Sequence, residues 1–543
     1  MITRRELIKR GALGVAGLAV GPSSVWARPA ARTDLVLRPY PHPLQGEVDW
    51  AYLTDTQGDA FLSPTNVTQS GLVVPSGVDR PFAINARWFV EGFGNVWLEA
   101  DNGGEFFRPG DYEALGGLSL NFEFARTKVA QNRERMRRYA GADFGTDTIG
   151  LYELAQELLD DATRASGERQ AALADKSLLY GLWAGEMIEL DKARSDLAHS
   201  PRTDEFFFGC ETRQYIWAKS VDMVDRFVEL FNYATITHYN YDTWYPVFEP
   251  YEGEHRFGIK DEILGWLKEH DITAEGRPLF WFHPWVMPDW LREKDFTALK
   301  DYVRRHTEAL VSHYGDDVLY WEVVNEYHDW ANEFGHTPDQ ITEITRLACE
   351  TTHDVNPRVE RLINNCCVFA EYVAQGHTSS GPADRPLRTP RRFMEELIEA
   401  EVPFEVTGVQ MYFPGRDLSA IVRLIERFAE LGKPVYITEI GASAGPDEGR
   451  QGLMYDWHRH WDEQVQADWL EQMYTILYSK PYIHNISWYD FADFRTFIEN
   501  GGLIEMDGTR KPAFHRLESL LDRWDRLPAK RDRSVTGGPP PED

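Results

Sequence analysis

Two glutamates in this chain stand at the ends of apolar runs. One run reads Trp321-Glu322-Val323-Val324-Asn325-Glu326, and the other reads Val435-Tyr436-Ile437-Thr438-Glu439. An apolar strand that ends in a carboxylate is costly to bury unless the group is paired or used. A pair of carboxyls facing each other can divide one reaction between them. One protonates a leaving oxygen, while the other attacks an anomeric carbon or activates water, which is what cleavage of a glycosidic bond requires. Each signal alone is weak, because Asn-Glu occurs again at Asn332-Glu333. The structural alternative is a pair of rim glutamates engaged in salt bridges. Other run ends add polar and aromatic groups: Phe282-His283, Gln410-Met411-Tyr412 and Ser487-Trp488.

Carboxylates from distant runs meet only if the runs are strands of one sheet. From residue 206 onward, short strand-like runs alternate with amphipathic helical ones. The pattern predicts strands over 206–209, 233–237, 279–283, 319–325, 361–364, 406–412, 434–438 and 483–488. Eight strands, each followed by a helix, predict an α/β fold with a (β/α)8 barrel over 205–524. Barrel enzymes gather their chemistry at the C-terminal strand ends, so glutamates ending strands four and seven would face each other across the mouth. A doubly wound open sheet would instead place a glycine-rich phosphate loop after its first strand, and none is present. Upstream, 32–121 reads as a β-sandwich and 122–204 as a helical connector. Trp88, Phe93 and Trp97 could give the sandwich a glycan-stacking face, but alternating aromatics in a strand are more often core.

The 543 residues carry 57 Lys+Arg against 87 Asp+Glu, a formal charge of −30. Such a surface repels nucleic acid and anionic membranes and leaves a neutral glycan unpenalised. The start of the chain, with Arg4-Arg5, an apolar stretch over 11–21 and Val25-Trp26-Ala27, reads as a twin-arginine export signal over 1–31. Cys210, Cys349, Cys366 and Cys367 show no metal-ligand spacing, and no essential disulfide is expected. Residues 525–543 read as a disordered tail. The expectation is an exported monomer that needs no cofactor.

The barrel region resembles glycoside hydrolase family 10, the endo-β-1,4-xylanases of the retaining clan A. Trp321 to Glu326 resembles the family's acid/base strand, and Ile437-Thr438-Glu439-Ile440 its nucleophile strand. His283-Pro284-Trp285-Val286-Met287-Pro288-Asp289-Trp290 resembles the segment after strand three. Trp244, Glu249-Pro250-Tyr251-Glu252-Gly253 and Phe257 resemble the run after strand two. The resemblance implies Glu439 as nucleophile and Glu326 as acid/base. It further implies Asn325, His283, Asn240, Gln410 and Tyr412 as sugar-binding neighbours, with Trp488 as the ring beneath the sugar. Three positions depart from the family pattern: Tyr239 replaces a glutamate, Thr243 a lysine and Tyr412 a histidine. A different glycan, or a carbohydrate-binding descendant without catalysis, therefore stays open beside xylan.

Overall fold

The structure is a computed structural model that describes residues 34–40, 50–68, 71–108, 117–221, 223–241, 247–412, 415–445 and 457–528. The expected signal, most of the expected tail, and Thr243 and Trp244 lie outside the described residues. Eight N-terminal strands come first: β1 (Leu35–Arg38), β2 (Ala51–Thr54), β3 (Ala60–Phe61), β4 (Asn66–Thr68), β5 (Gly71–Val74), β6 (Ala83–Val90), β7 (Gly94–Ala100) and β8 (Gly117–Ser119). They form two four-stranded sheets, β4-β5-β1-β8 and β3-β2-β6-β7. Trp88, Phe93 and Trp97 are all buried, so none of them offers a stacking face to solvent. Three helices follow, Leu120–Arg138, Thr146–Thr163 and Gly167–His199, and their apolar faces share a core with both sheets.

The barrel is closed by β9 (Phe207–Glu211), β10 (Tyr233–Thr237), β11 (Thr273–Arg277), β12 (Tyr320–Asn325), β13 (Glu360–Asn365), β16 (Val406–Tyr412), β17 (Val435–Gly441) and β18 (Ile483–Trp488). A small hairpin, β14 (His377–Thr378) with β15 (Gly381–Pro382), lies between β13 and β16. All eight barrel pairings are parallel. The connecting helices start where the sequence supplies caps. Thr337 and Gln340 form a capping box ahead of Pro338–Val355, and the Asp417 side chain caps Leu418–Ala429.

The third strand is a correction. It runs over Thr273–Arg277, not over 279–283. Ala274-Glu275-Gly276-Arg277 looks too polar for a buried strand, but both charged side chains point inward and are paired there. Pro278 cannot donate to a ladder, so regular pairing stops at Arg277. Leu279 and Phe280 then rejoin β12 through their amides, at 2.8 and 3.1 Å from the carbonyls of Glu322 and Val323. At the far end, Arg526 donates to the Tyr478 hydroxyl (2.7 Å) and the Arg202 carbonyl (2.8 Å). Ordered packing thus passes the expected boundary at 524.

Candidate active site

Inside the barrel, side chains sit in layers. Phe207, Tyr233, Leu362, Val406 and Tyr436 close the lower end as an apolar plug. Above them the Tyr233 hydroxyl donates to Glu275 at 2.7 Å. The next layer centres on Arg277, which is 1% exposed. Its guanidinium lies 3.6 Å from Glu211 and 3.2 Å from Glu322, and it donates to Glu439. One cation thus faces three carboxylates, with Glu275 also nearby. That balance leaves protons on the surplus acids. Burial raises the Glu322 carboxyl well above its ordinary range, and it pushes Glu275 up to about 7.

Glu439, on β17, is held from three sides. Arg277 and the Asn364 amide (3.2 Å) reach Oε1, and the Tyr412 hydroxyl reaches Oε2 at 2.7 Å. Asn364 is fixed in turn by Thr438, which donates to its carbonyl oxygen at 2.6 Å. Strand register places Gln410 of β16 directly beside Glu439.

Glu326 follows β12 and takes a left-handed backbone conformation, φ 58°. Strain of this kind persists where the surroundings enforce it. Here the Glu326 amide donates to the Asn364 carbonyl at 2.9 Å, while Trp281 Nε1 (2.9 Å) and Gln410 Nε2 (3.0 Å) fix the two carboxylate oxygens. Burial pushes the Glu326 carboxyl up to about 7, helped by the negative charge of Glu439. The two glutamates therefore stand in one enclosed site under opposite influences. Glu439 sits on a guanidinium; Glu326 has only neutral donors.

The expected neighbours divide into three groups. Asn325 and Gln410 join the carboxylates directly, since Gln410 Nε2 also reaches Asn325 Oδ1 at 3.2 Å. His283 stacks on Trp281, with ring centres 4.6 Å apart. Its Nδ1 accepts from the Trp285 amide at 3.2 Å, which leaves the proton on Nε2. Trp285 is 55% exposed beside it. Asn240 turns elsewhere: its amide nitrogen contacts Glu249 (2.6 Å) and the Tyr302 hydroxyl (2.7 Å). Trp488 is a correction, being 0% exposed, packed on Trp469, and bonded through Nε1 to the Gly501 carbonyl at 3.0 Å. A ring enclosed this way presents no face to a sugar.

Arg277, Asn364 and Trp281 escaped the sequence reading. The misplaced third strand concealed Arg277, and Trp281 lies two residues before His283 on the same extended stretch, a period-two signal that was available. The second Asn-Glu pair plays another part. Asn332 accepts from the His336 amide at 2.9 Å, and Glu333 pairs with Arg292.

A family model, "Glycosyl hydrolase family 10", matches residues 202–519, more than half of the chain. The chain belongs to glycosyl hydrolase family 10. Among its relatives, endo-1,4-beta-xylanase 1 of Arabidopsis thaliana is 21% identical over 307 residues, covering 56% of this chain and 29% of the relative. Endo-1,4-beta-xylanase B of Thermotoga neapolitana is 26% identical over 259 residues, covering 45% of this chain and 64% of the relative. The chain spans only about a third of the length of the first Arabidopsis relatives it matches. Of solved structures, xylanase 10B of Thermotoga petrophila in complex with xylobiose aligns at TM-score 0.46 and 19% identity, covering 61% of this chain and 97% of that one. The matched family segment coincides with the barrel and leaves both N-terminal sheets outside it.

Proposed function

We propose that this family 10 barrel hydrolyses a β-1,4-linked, xylan-type polysaccharide with retention, Glu439 acting as nucleophile and Glu326 as acid/base. The observation that carries the reading is the unequal setting of the two carboxyls: a guanidinium under Glu439, and neutral donors with a raised proton affinity at Glu326. Held by Arg277, Asn364 and Tyr412, the Glu439 carboxylate is aimed before substrate arrives, so little reorganisation remains in the attack. Glu326 keeps its proton up to about pH 7 and gives it to the departing oxygen. Esterification then removes the charge on Glu439. With that repulsion gone, Glu326 loses a proton more readily and takes one from the incoming water, so the same residue serves both half-reactions.

Substrate choice is less constrained than chemistry. With the Asn240 amide committed to Glu249 and Tyr302, and the Tyr239 ring packed at a tilt against Trp281, centres 5.0 Å apart, this wall of the site is aromatic. That favours, as a second reading, the same double displacement on another β-linked glycan.

Incubation with a panel of plant polysaccharides, followed by chromatography of the products, decides between the two. Roles are separated by azide. Glu439→Ala should lose about 10⁴-fold or more in kcat. Glu326→Ala should still cleave an activated aryl glycoside, stall at the glycosyl-enzyme, and be rescued by azide to a product of unchanged anomeric configuration. Rescue of Glu439→Ala with retention would reverse the assignment.

A further inference from the structure

The loop after β10 carries Glu249 and His255, and the helix Phe296–Tyr314 carries His306. Their donor atoms converge. His255 Nε2 lies 3.4 Å from Glu249 Oε1, His306 Nδ1 lies 3.1 Å from Glu249 Oε2, and the two nitrogens are 3.2 Å apart. Among the described residues, this is the one group of three His, Cys, Asp or Glu side chains whose ligand atoms all lie within 4.8 Å. It is separate from the carboxylate pair, and neither Glu326 nor Glu439 bonds to any member of it.

Hydrogen bonding alone accounts poorly for this convergence. Each imidazole nitrogen offers either one proton or one lone pair. Yet His306 Nδ1 is approached by three groups: His255 Nε2, Glu249 Oε2, and the Tyr302 hydroxyl at 3.1 Å. Glu249 meanwhile already accepts from the Gly253 amide (2.7 Å), Asn240 (2.6 Å) and Tyr302 (2.7 Å). The two histidine nitrogens thus crowd a carboxylate that already accepts from three donors. A cation at their common centre would use both lone pairs and a carboxylate oxygen at once.

The spacing is compatible. Ligands about 2.0–2.1 Å from a tetrahedral ion stand about 3.3 Å from one another; the two nitrogens are 3.2 Å apart, and each lies 3.1–3.4 Å from a different oxygen of the Glu249 carboxylate. Glu249 and His306 are fully buried, and Phe248, Phe257 and Phe280 pack against the imidazoles. Two imidazoles with one carboxylate select a zinc-type ion over calcium or magnesium, which prefer all-oxygen sets.

We propose that Glu249, His255 and His306 form a binding site for a zinc-class divalent cation, which ties the loop after β10 to the helix Phe296–Tyr314. The ion would fix the outer edge of the loop and, through Glu249, the orientation of Asn240. No linear motif announces the site, because its ligands meet only in the folded barrel. The proposal does not depend on which glycan the enzyme cleaves, or on whether it cleaves one.

The test uses the full chain, stripped with a chelator and titrated with Co²⁺ alone. One equivalent should bind with the visible absorption of a tetrahedral nitrogen–oxygen site, Zn²⁺ should displace it, and Zn²⁺ should raise Tm. In His255→Ala, affinity should fall about 100-fold or more and the Zn²⁺-dependent rise in Tm should vanish. If His306→Ala does not fold, His255→Ala still decides the matter, because His255 lies at the margin of the cluster with its side chain 10% exposed. Absence of the tetrahedral spectrum, or binding unchanged in His255→Ala, would overturn the proposal and leave the cluster as a hydrogen-bond network.

Discussion

Where the helical connector meets the barrel, cations at least match the anions they face. Lys128 lies 2.9 Å from Asp417, Arg135 lies 3.3 Å from Glu189 and 2.7 Å from Glu426, and Arg138 reaches Glu426 at 3.0 Å. Under the barrel mouth the ratio is reversed, with Arg277 facing Glu211, Glu322 and Glu439. The consequences for proton affinity differ accordingly. Asp417 is fully buried yet held below the usual carboxylate range, because Lys128 and Ser419 outweigh its desolvation. Glu322, Glu275 and Glu326 are all raised by burial that no second cation offsets. At Asp417 the facing Lys128 keeps the carboxylate ionised and so can serve docking, whereas burial raises Glu189 at the same interface despite Arg135. A deficit of cations leaves exchangeable protons in a dry site, as acid catalysis requires.

The comparison breaks if one cation from each region proves equivalent. Arg277→Met and Lys128→Met each strand a buried carboxylate, and each should cost about 3–5 kcal/mol in chemical denaturation. Only the first should also damage turnover. Glu439 would lose the guanidinium that aims its carboxylate, so kcat/KM should fall about 10²–10³-fold. Lys128→Met should leave kcat/KM unchanged at temperatures where it stays folded. Equal losses of activity in the two variants would mean that the mouth holds no special electrostatic arrangement.

A smaller effect is expected at Tyr412. Its hydroxyl donates to Glu439 Oε2, while its ring packs against Tyr489 and Phe497 at 5.6 and 4.9 Å. Tyr412→Phe keeps the ring and deletes one hydrogen bond to a charged group, worth about 1.5–3 kcal/mol. The loss should appear in kcat as about 10- to 100-fold, with Tm nearly unchanged. A loss confined to KM would move Tyr412 from positioning the proposed nucleophile to binding sugar.

Much of this arrangement was legible in the sequence because it rests on periodicity. Seven of the eight barrel strands overlap runs that the sequence marks as strands, and strand ends bring Asn325, Glu326, Gln410, Tyr412 and Glu439 to one mouth. Reading failed where charge is buried by pairing. Glu275 and Arg277 make β11 look like a loop, and only the partners contributed by β9, β10, β12 and β17 make that strand affordable. Strand-end position misled at Trp488 for a related reason: position along a strand does not tell which way a side chain packs, and Trp469 and Gly501 enclose this one. The pairing of Glu249 with His255 and His306 had no linear signal, since 51 positions separate the two histidines.

The finest distinction between the two regions lies in what a single neutral donor does. Gln410 donates to Glu326 Oε1 and stabilises its ionised form, which partly opposes the rise caused by burial and Glu439. In Gln410→Ala that opposition is lost, so the carboxyl should bind its proton more tightly. As the proposed acid, Glu326 acts when protonated, so kcat/KM should decline as pH rises through the pKa that burial and Glu439 push up to about 7. Removing Gln410 should move this alkaline limb upward by up to about one pH unit, because a net hydrogen bond of 0.5–1.5 kcal/mol corresponds to about that shift. The height of the profile will also fall, since Asn325 loses the same donor, but height and position are separate readouts. Ser419→Ala, which removes a donor from Asp417 at the balanced interface, should leave the limb in place. A limb that stays fixed in Gln410→Ala would show that some group other than Glu326 sets the alkaline decline.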